Sequence, residues 1–416
     1  MKIQNKNVDK IFSLFNSYGY ECYLVGGCVR DMIMYTEPHD YDFCTNATPE
    51  QMKEICESIG YKYYTMGEKY GTITIRIDAD MFECTTYRFD AEYSDGRRPD
   101  KVIFSDNLKD DIVRRDFTVN AMAINQYGDL IDLVNGKKDC ADCIIRCVGN
   151  PEERFREDGL RILRAVRFAI KCGFEVEENT LQAMIDNIDM LDHIATERIW
   201  NELDIILHQK EAERLLNEFR FVFKKILDIC GIDSNKYHYS SAYGMLSRYN
   251  ASNESYNPVS ICCLFHDEHS EDMEKFLVAM HQNGMINDCR EIHSMRDISV
   301  PIDEYKIRYM MIGHSTFILH EIVKYWRLFR PVRQLINIDK FDNRIDEIMF
   351  SDIPLCVESL NVNGNDLQEI GIYGKNIGIV LNCVLYRVVN DDIKNNKRDI
   401  LDYILKYHSD LIEERE

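Results

Sequence analysis

Two aspartates one residue apart, Asp40 and Asp42, follow a Gly26-Gly27 pair in the stretch CYLVGGCVRDMIMYTEPHDYDFC, residues 22–44. The apolar run Tyr23-Leu24-Val25 predicts a strand that runs into the glycines. Arg30 and Asp31 then fall on the first turns of a helix, and after Glu37-Pro38 a second strand carries Asp40 and Asp42. Side chains alternate along a strand, so the two aspartates share a face while Tyr41 and Phe43 turn to the core. Like charges side by side repel, and a fold tolerates that mainly where a cation sits between them. A glycine turn frees backbone N–H groups for phosphate. The chemistry these residues suggest is metal-assisted phosphoryl transfer. Each feature also has a plain reading: D-x-D suits any solvent-facing strand, and a bare Gly-Gly is often only a tight turn.

The elements that would position this pair follow in order. Residues 49–60 (PEQMKEICESIG) predict a short helix closed by Gly60. Thr72–Ile77 alternates in strand fashion, Asp78-Ala79-Asp80 turns, and Met81–Arg88 returns. Glu83 lies on the face of Met81 and Thr85. It is a third carboxylate if this strand neighbours Asp42, and a solvent-facing edge acid if it does not. Residues 90–106 read as a polar, mobile loop closed by Val102-Ile103-Phe104. LKDDIVRRDFTVNAMAIN then predicts a helix, with Asp111 and Arg115, and likewise Asp116 and Asn120, four apart on one face. Its apolar Phe117, Met122 and Ile124 leave the Arg/Asp/Asn side facing something polar.

At Asn150-Pro151 the character changes, with Asn at the N-cap and Pro at the first helical position. From there the pattern is almost wholly helical. PEERFREDGLRILRAVRFAIKCGF reads as one helix, with Leu160, Leu163, Val166 and Ile170 as its buried stripe. Asp158 and Arg161 project together from another face, and Arg154, Arg156, Arg161, Arg164, Arg167 and Lys171 concentrate positive charge.

Composition bounds these readings. A chain of 416 residues exceeds one compact core, so two to four domains are expected. No apolar run reaches membrane-span length, and the N-terminus reads as an amphipathic helix rather than a signal peptide, which predicts a cytoplasmic protein. The 15 cysteines are then expected reduced. Cys140, Cys143 and Cys147 suggest zinc, but no fourth ligand is evident. A net charge of −21 argues against a generic nucleic-acid coater and makes the local basic concentration after residue 150 the place for an RNA contact. His266-Asp267 has the form of a phosphohydrolase dipeptide without the further ligands that chemistry needs.

Five ordered stretches, LVGGCVRD, HDYDF, RRDFTVNAMA, REDGLRILRAVRFA and TERIWNEL, together resemble the bacterial-type (class II) tRNA nucleotidyltransferases, or CCA-adding enzymes, and their relatives the bacterial poly(A) polymerases. The tail LNVNGNDLQEIGIYGKNIG is similar to the C-terminal segment of the CCA-adding branch, whereas VNGKKDC, with Cys140, is looser than the family's Gly-rich turn. The resemblance implies an α+β chain: a nucleotidyltransferase-type mixed-sheet head over residues 1–149, then all-α neck (150–215), body (216–345) and tail (346–416). It implies Mg²⁺ held by Asp40 and Asp42, with Glu83 a third catalytic carboxylate. Gly26, Gly27, Arg30 and Arg115 would hold the triphosphate and Asp116 the ribose, with Asn120, Arg164 and Arg167 completing the nucleotide site. Asp158 and Arg161 would read the base.

That last role has a physical reason. Cytosine and adenine each present an amino donor beside a ring-nitrogen acceptor, whereas guanine and uracil present a carbonyl beside an N–H. A carboxylate with a guanidinium matches the first two and leaves buried groups unpaired with the others. The expected partners are tRNA, CTP and ATP, with no membrane and no DNA. The expected activity is addition of CCA to tRNA 3′ ends without a nucleic-acid template. A poly(A) polymerase, or an enzyme adding only A or only C, shares the chemistry. A catalytically dead RNA binder would not need the paired carboxylates.

Overall fold

A computed structural model describes residues 5–90, 102–249 and 256–412, so most of the loop expected at 90–106 lies outside the described residues. The chain forms two compact units. The first runs through Tyr243 and includes Val278–His281, and the second holds Gly244–Tyr249 and most of the remaining C-terminal chain.

The first unit begins with a sheet. Its strands are β1 (Cys22–Val25), β2 (Asp42–Thr45), β3 (Lys62–Tyr64), β4 (Thr72–Ile77), β5 (Asp80–Thr86), β8 (Met122–Ile124) and β9 (Leu130–Asp132), with β6 (Arg88–Asp90) and β7 (Val102–Phe104) paired apart as a hairpin. The order across the sheet is β3-β4-β5-β2-β1-β8-β9. Every pairing within it is antiparallel except β2 with β5. A parallel pair needs a long crossover, here the segment between Thr45 and Asp80. One face of the sheet is apolar: Phe43, Ile73, Ile75, Phe82 and Cys84 are buried. The helix α1 (Lys6–Ser17) covers it, with Phe12 edge-on to Phe43 at 5.3 Å and Phe43 to Phe82 at 5.9 Å. Next come α2 (Gly27–Ile33), starting on the glycine turn, and α3 (Pro49–Ile59), closed at Gly60 in the left-handed conformation as expected.

Three expectations about element extent are corrected. Asp40 is not on a strand: β2 starts at Asp42, opposite Val25. Beyond Val25 the chain turns away at Gly26 (φ 79°), so β1 offers Tyr41 and Asp40 no partner on its side. The helix predicted from Leu108 is α4 (Leu108–Val113) only. After a tight turn at Thr118–Asn120 the chain enters β8, because Met122, Ala123 and Ile124 are all fully buried and complete the sheet beside β1.

The helix α5 (Gly136–Asp142) follows from the VNGKKDC turn. A Cβ on Gly136 would sit 2.2 Å from the Thr118 carbonyl oxygen, so this glycine is obligatory. The third correction concerns residues 151–172, which break into α6 (Pro151–Glu157) and α7 (Leu160–Cys172). Asn150 caps α6, its side chain accepting from the Glu152 N–H at 3.1 Å. The break falls at Asp158-Gly159, where a Cβ on Gly159 would lie 2.7 Å from the Met190 carbonyl oxygen. Close packing against the segment after α8 (Glu178–Asp186) therefore fixes where the helix stops. The expected stripe of Leu160, Leu163, Val166 and Ile170 is buried, and α9 (Thr196–Leu207) packs along α7.

The second unit is helical throughout its described residues. Its C-terminal core gathers Leu367, Val380, Val384, Leu385, Ile400 and Ile404. His266 is a packing residue there: its ring hydrogen-bonds the Tyr325 hydroxyl at 2.6 Å and lies against Phe329. Among the described residues no helix is long and apolar enough to cross a membrane.

Candidate active site

The polar face of the sheet opens into a cavity of about 600 Å³ lined by residues from β1, β2, β4, β5, the segment after α4, and α7. At its floor Asp42 and Glu83 are direct register partners on the parallel β2–β5 pair. Glu83 thus takes the neighbouring position that its strand's pattern left open. Burial pushes the Asp42 carboxyl up to about 6. The negative charges of Glu83 and Asp40 add to this, and Arg115 works against it. Asp40 stands just outside the cavity lining, on the exposed approach to β2.

The glycine turn forms the next wall. Gly26 needs its positive φ, and the turn it makes brings it beside Arg115 and Asp42: a Cβ there would stand 3.5 Å from Arg115 Nη1 and 3.8 Å from Asp42 Oδ2. Arg115 is held from behind by Asp111, which accepts from Arg115 Nη2 at 2.8 Å and from Arg114 Nε at 3.0 Å. Asp111 and Arg115 therefore pair four apart as expected, across the end of α4. Burial works to raise the Asp111 carboxyl, but Arg115 and Arg114 overcome it and hold it below the usual carboxylate range. Asn120 does not pair with Asp116. It accepts from Arg30 Nη1 at 2.7 Å, while Arg30 Nη2 reaches Asp31 at 2.7 Å. Arg30 is buried behind the glycine turn and does not line the cavity.

Asp116 bonds instead to α7, accepting from Arg164 Nε at 2.8 Å and from the Phe117 N–H at 2.8 Å. Arg164 lines the cavity; Arg167 does not, being paired with Glu202 of α9 at 2.6 Å. Both guanidiniums lie against the Phe168 ring.

At the α6–α7 break, Asp158 Oδ1 accepts from the Leu160 N–H at 3.0 Å and Oδ2 from Arg198 Nη2 at 3.0 Å. Arg161 Nη1 donates to Glu157 at 2.6 Å and to the Arg154 carbonyl at 3.1 Å. Asp158 and Arg161 both line the cavity, but a turn brings them there rather than a shared helical face. The basic concentration expected of this segment is largely neutralised internally. Arg154 and Arg161 pair with Glu157, Arg156 with Glu152, Arg164 with Asp116, and Arg167 with Glu202.

Thr72, Thr85, Arg88, Arg114 and Phe168 also line the cavity and were not singled out from the sequence. Thr85 carried a signal, since it sits two residues from Glu83 on the same strand face. Arg88 carried none, because nothing in the local pattern sets the last residue of the expected return strand apart.

The residues 22–146 match the family model described as "Poly A polymerase head domain", and residues 173–220 match "Probable RNA and SrmB- binding site of polymerase A". A CCA-adding enzyme of Oceanobacillus iheyensis is 33% identical over 404 residues, 95% of this chain and 96% of its own. One of Lactobacillus helveticus is 46% identical over 197 residues, 47% of this chain and 48% of its own. The fold is that of the Bacillus stearothermophilus CCA-adding enzyme solved in complex with CTP. That protein superposes with a TM-score of 0.78 at 24% identity, covering 99% of both chains. A relative this similar along nearly its whole length, together with the head-domain match, means that the chain belongs to the CCA-adding enzymes of the poly(A) polymerase family.

Proposed function

We propose that this protein adds C, C and A to the 3′ ends of tRNA from CTP and ATP without a nucleic-acid template. The observation that carries the reading is one cavity holding both the Asp42–Glu83 rung and the Asp158/Arg161 turn. In the reaction the RNA 3′-oxygen bonds to the α-phosphorus, the bond from the α-phosphorus to the β-phosphate breaks, and pyrophosphate leaves with the electron pair. The hydroxyl proton passes to water.

Positioning and electrostatics are the protein's share. The Gly26-Gly27 turn and Arg115 hold the triphosphate, with Arg30 and Asn120 bracing the turn from behind. Asp116 faces the ribose, with Arg164 beside it. The Asp158 carboxylate accepts from the amino group of C or A and Arg161 donates to the adjoining ring nitrogen. A carboxylate keeps lone pairs beyond the two contacts Asp158 already makes.

Asp40 and Asp42, with Glu83, would hold Mg²⁺, which when bound lowers the pKa of the 3′-OH and stabilises charge on the leaving pyrophosphate. The donor set fits. It is hard oxygen, and burial, reinforced by the charges of Glu83 and Asp40, pushes Asp42 up to about 6. Among the described residues no three acids, histidines or cysteines stand together so as to hold a metal ion by themselves. Mg²⁺ characteristically takes one or two carboxylates and fills its remaining positions with water and substrate phosphates. The head over residues 1–149, neck 150–215, body 216–345 and tail 346–416 divide this work, in the cytoplasm where the RNA substrate is found.

The test incubates the protein and Mg²⁺ with tRNA lacking its 3′ end, and with CTP, ATP, both, or all four nucleotides. Two residues are expected with CTP alone, and growth stopping at three with CTP and ATP together. A long A tail would identify a poly(A) polymerase instead, and no incorporation would identify a non-catalytic RNA binder.

A further inference from the structure

We propose that Arg88 and the Thr72–Thr85 hydroxyl pair bind the sugar and phosphate of the RNA's 3′-terminal nucleotide, the one that attacks. The inference rests on the transferase reading above and adds a subsite to it.

Strand register supplies the first step. Asp42 pairs with Glu83 across β2–β5, and Thr72 pairs with Thr85 across β4–β5. Cross-strand partners share a face, and Glu83 and Thr85 are two apart. Asp42, Glu83, Thr85 and Thr72 therefore stand on the open face of the sheet. The two threonine hydroxyls are 2.9 Å apart. Arg88, just past β5, completes this wall; its Nη1 donates to the Tyr70 carbonyl, which ties the guanidinium to the turn before β4. All three residues line the cavity, and none belongs to the set that handles the incoming nucleotide.

Sheet order supplies the second step. β2 lies between β1 and β5, so the glycine turn at the end of β1 is on one side of Asp42 and the Glu83–Thr85–Thr72 wall is on the other. In-line displacement puts the attacking and leaving oxygens on opposite sides of the phosphorus. With the triphosphate on the glycine side, the attacking 3′-OH approaches from the β5–β4 side, and its nucleotide lies along this wall. There it presents a phosphate, which a guanidinium suits, and a 2′-OH. Hydroxyls that both donate and accept suit that group.

The experiment measures CMP incorporation into tRNA lacking CCA by the wild-type protein, Arg88→Ala, Arg88→Lys and the double variant Thr72→Val/Thr85→Val. Arg88→Ala is expected to raise the KM for tRNA by about tenfold or more, the scale of one hydrogen bond to a charged group. The KM for CTP should stay within about twofold of wild type. Arg88→Lys should fall between the two, because it keeps the charge and loses the fork. The double valine variant should lose about fivefold of the wild-type preference for a ribose over a 2′-deoxyribose at the primer end, the scale of one neutral hydrogen bond. A rise confined to the KM for CTP would move these residues to the incoming-nucleotide site and overturn the proposal. Unchanged tRNA kinetics and unchanged ribose preference would also overturn it. Since Arg88 also ties down the Tyr70 turn, an early-melting Arg88→Ala would leave the lysine and valine variants to decide. Wild-type protein that incorporates nothing would instead overturn the transferase reading itself.

Discussion

Asp111 touches no substrate in this scheme, yet the site is built on it. Its carboxylate is fully buried between Arg114 and Arg115, so Asp111→Ala would strip both guanidiniums of their counter-charge. Breaking a buried pair from one side costs about 3–5 kcal/mol. We expect a loss of that order in calorimetry, with a raised KM for CTP as Arg115 loses its orientation. Asp42→Ala acts at the other extreme. It should lower incorporation by about 10³-fold, the scale of losing a group aimed at transition-state charge, while tRNA binding measured by gel shift stays near wild type. Persistent activity would show that the metal is held elsewhere. Arg161→Ala should act on choice rather than rate. With its hydrogen bond gone, UTP and GTP compete against CTP, eroding a discrimination that a fully hydrogen-bonded site can hold at about 10⁴.

The element that sets base choice is a helix break, and Gly159 makes the break possible. A methyl at this position meets the Met190 carbonyl at 2.7 Å, so Gly159→Ala must push α6 and α7 away from the segment after α8. Overpacking of this kind costs about 1–3 kcal/mol. Because Asp158 and Arg161 flank the glycine, misincorporation of UMP should rise more than the KM for CTP. Equal changes in both would argue that the break only spaces the helices.

The break also marks where the sequence stopped being legible. The Asn150-Pro151 start, the Gly60 stop and the buried stripe of α7 follow from local chemistry, and the structure has them where the pattern puts them. The division at Asp158-Gly159 follows from contact with residues about thirty positions later, which no local pattern encodes. The same holds for Asp40 and for the end of α4. In each case a tertiary partner, the turn at Gly26 or the open edge of β1, decides how far the element runs. Residue types pointed to one place: Asp42, Glu83, the glycine turn and the Asp158/Arg161 pair all line one cavity, while Asp40 stands just outside it. What they could not carry was the pairing of Arg164 with Asp116 and of Arg167 with Glu202, because those acids come from other elements; the pairs of Arg154 with Glu157 and Arg156 with Glu152 are local to α6.

At the scale of the whole molecule, the two units should answer differently to acid. In the first unit, burial tends to raise the Asp111 and Asp116 carboxyls, but Arg115 and Arg114 for one and Arg164 for the other hold both below 3.8. The folded state therefore binds these protons less readily than the unfolded chain. The stability they contribute is complete above about 3.8 and is lost as pH falls below it. In the second unit, burial lowers both His266 and His293 from 6.5. Asp267 faces His266 and favours the charged ring, while Arg296 opposes it. At His293 the Phe265 carbonyl favours the charged ring, and Arg296 again opposes it. The sign is the same as for the aspartates but the window is higher: stability is complete above about 6.5 and declines as pH falls through it. The two tryptophans separate these signals, since Trp200 is buried in α9 of the first unit and Trp326 in the second, its indole donating to the Met295 carbonyl at 2.8 Å. With Trp200→Phe, fluorescence reports Trp326, and its melting temperature should fall between pH 7 and pH 5.5. With Trp326→Phe, Trp200 should report a melting temperature that does not fall over that range, since Asp42, raised to about 6, takes up its proton more readily in the folded chain, and that drops only below about pH 4. Equal shifts at both tryptophans would show that the units unfold together and that the histidines destabilise the whole chain.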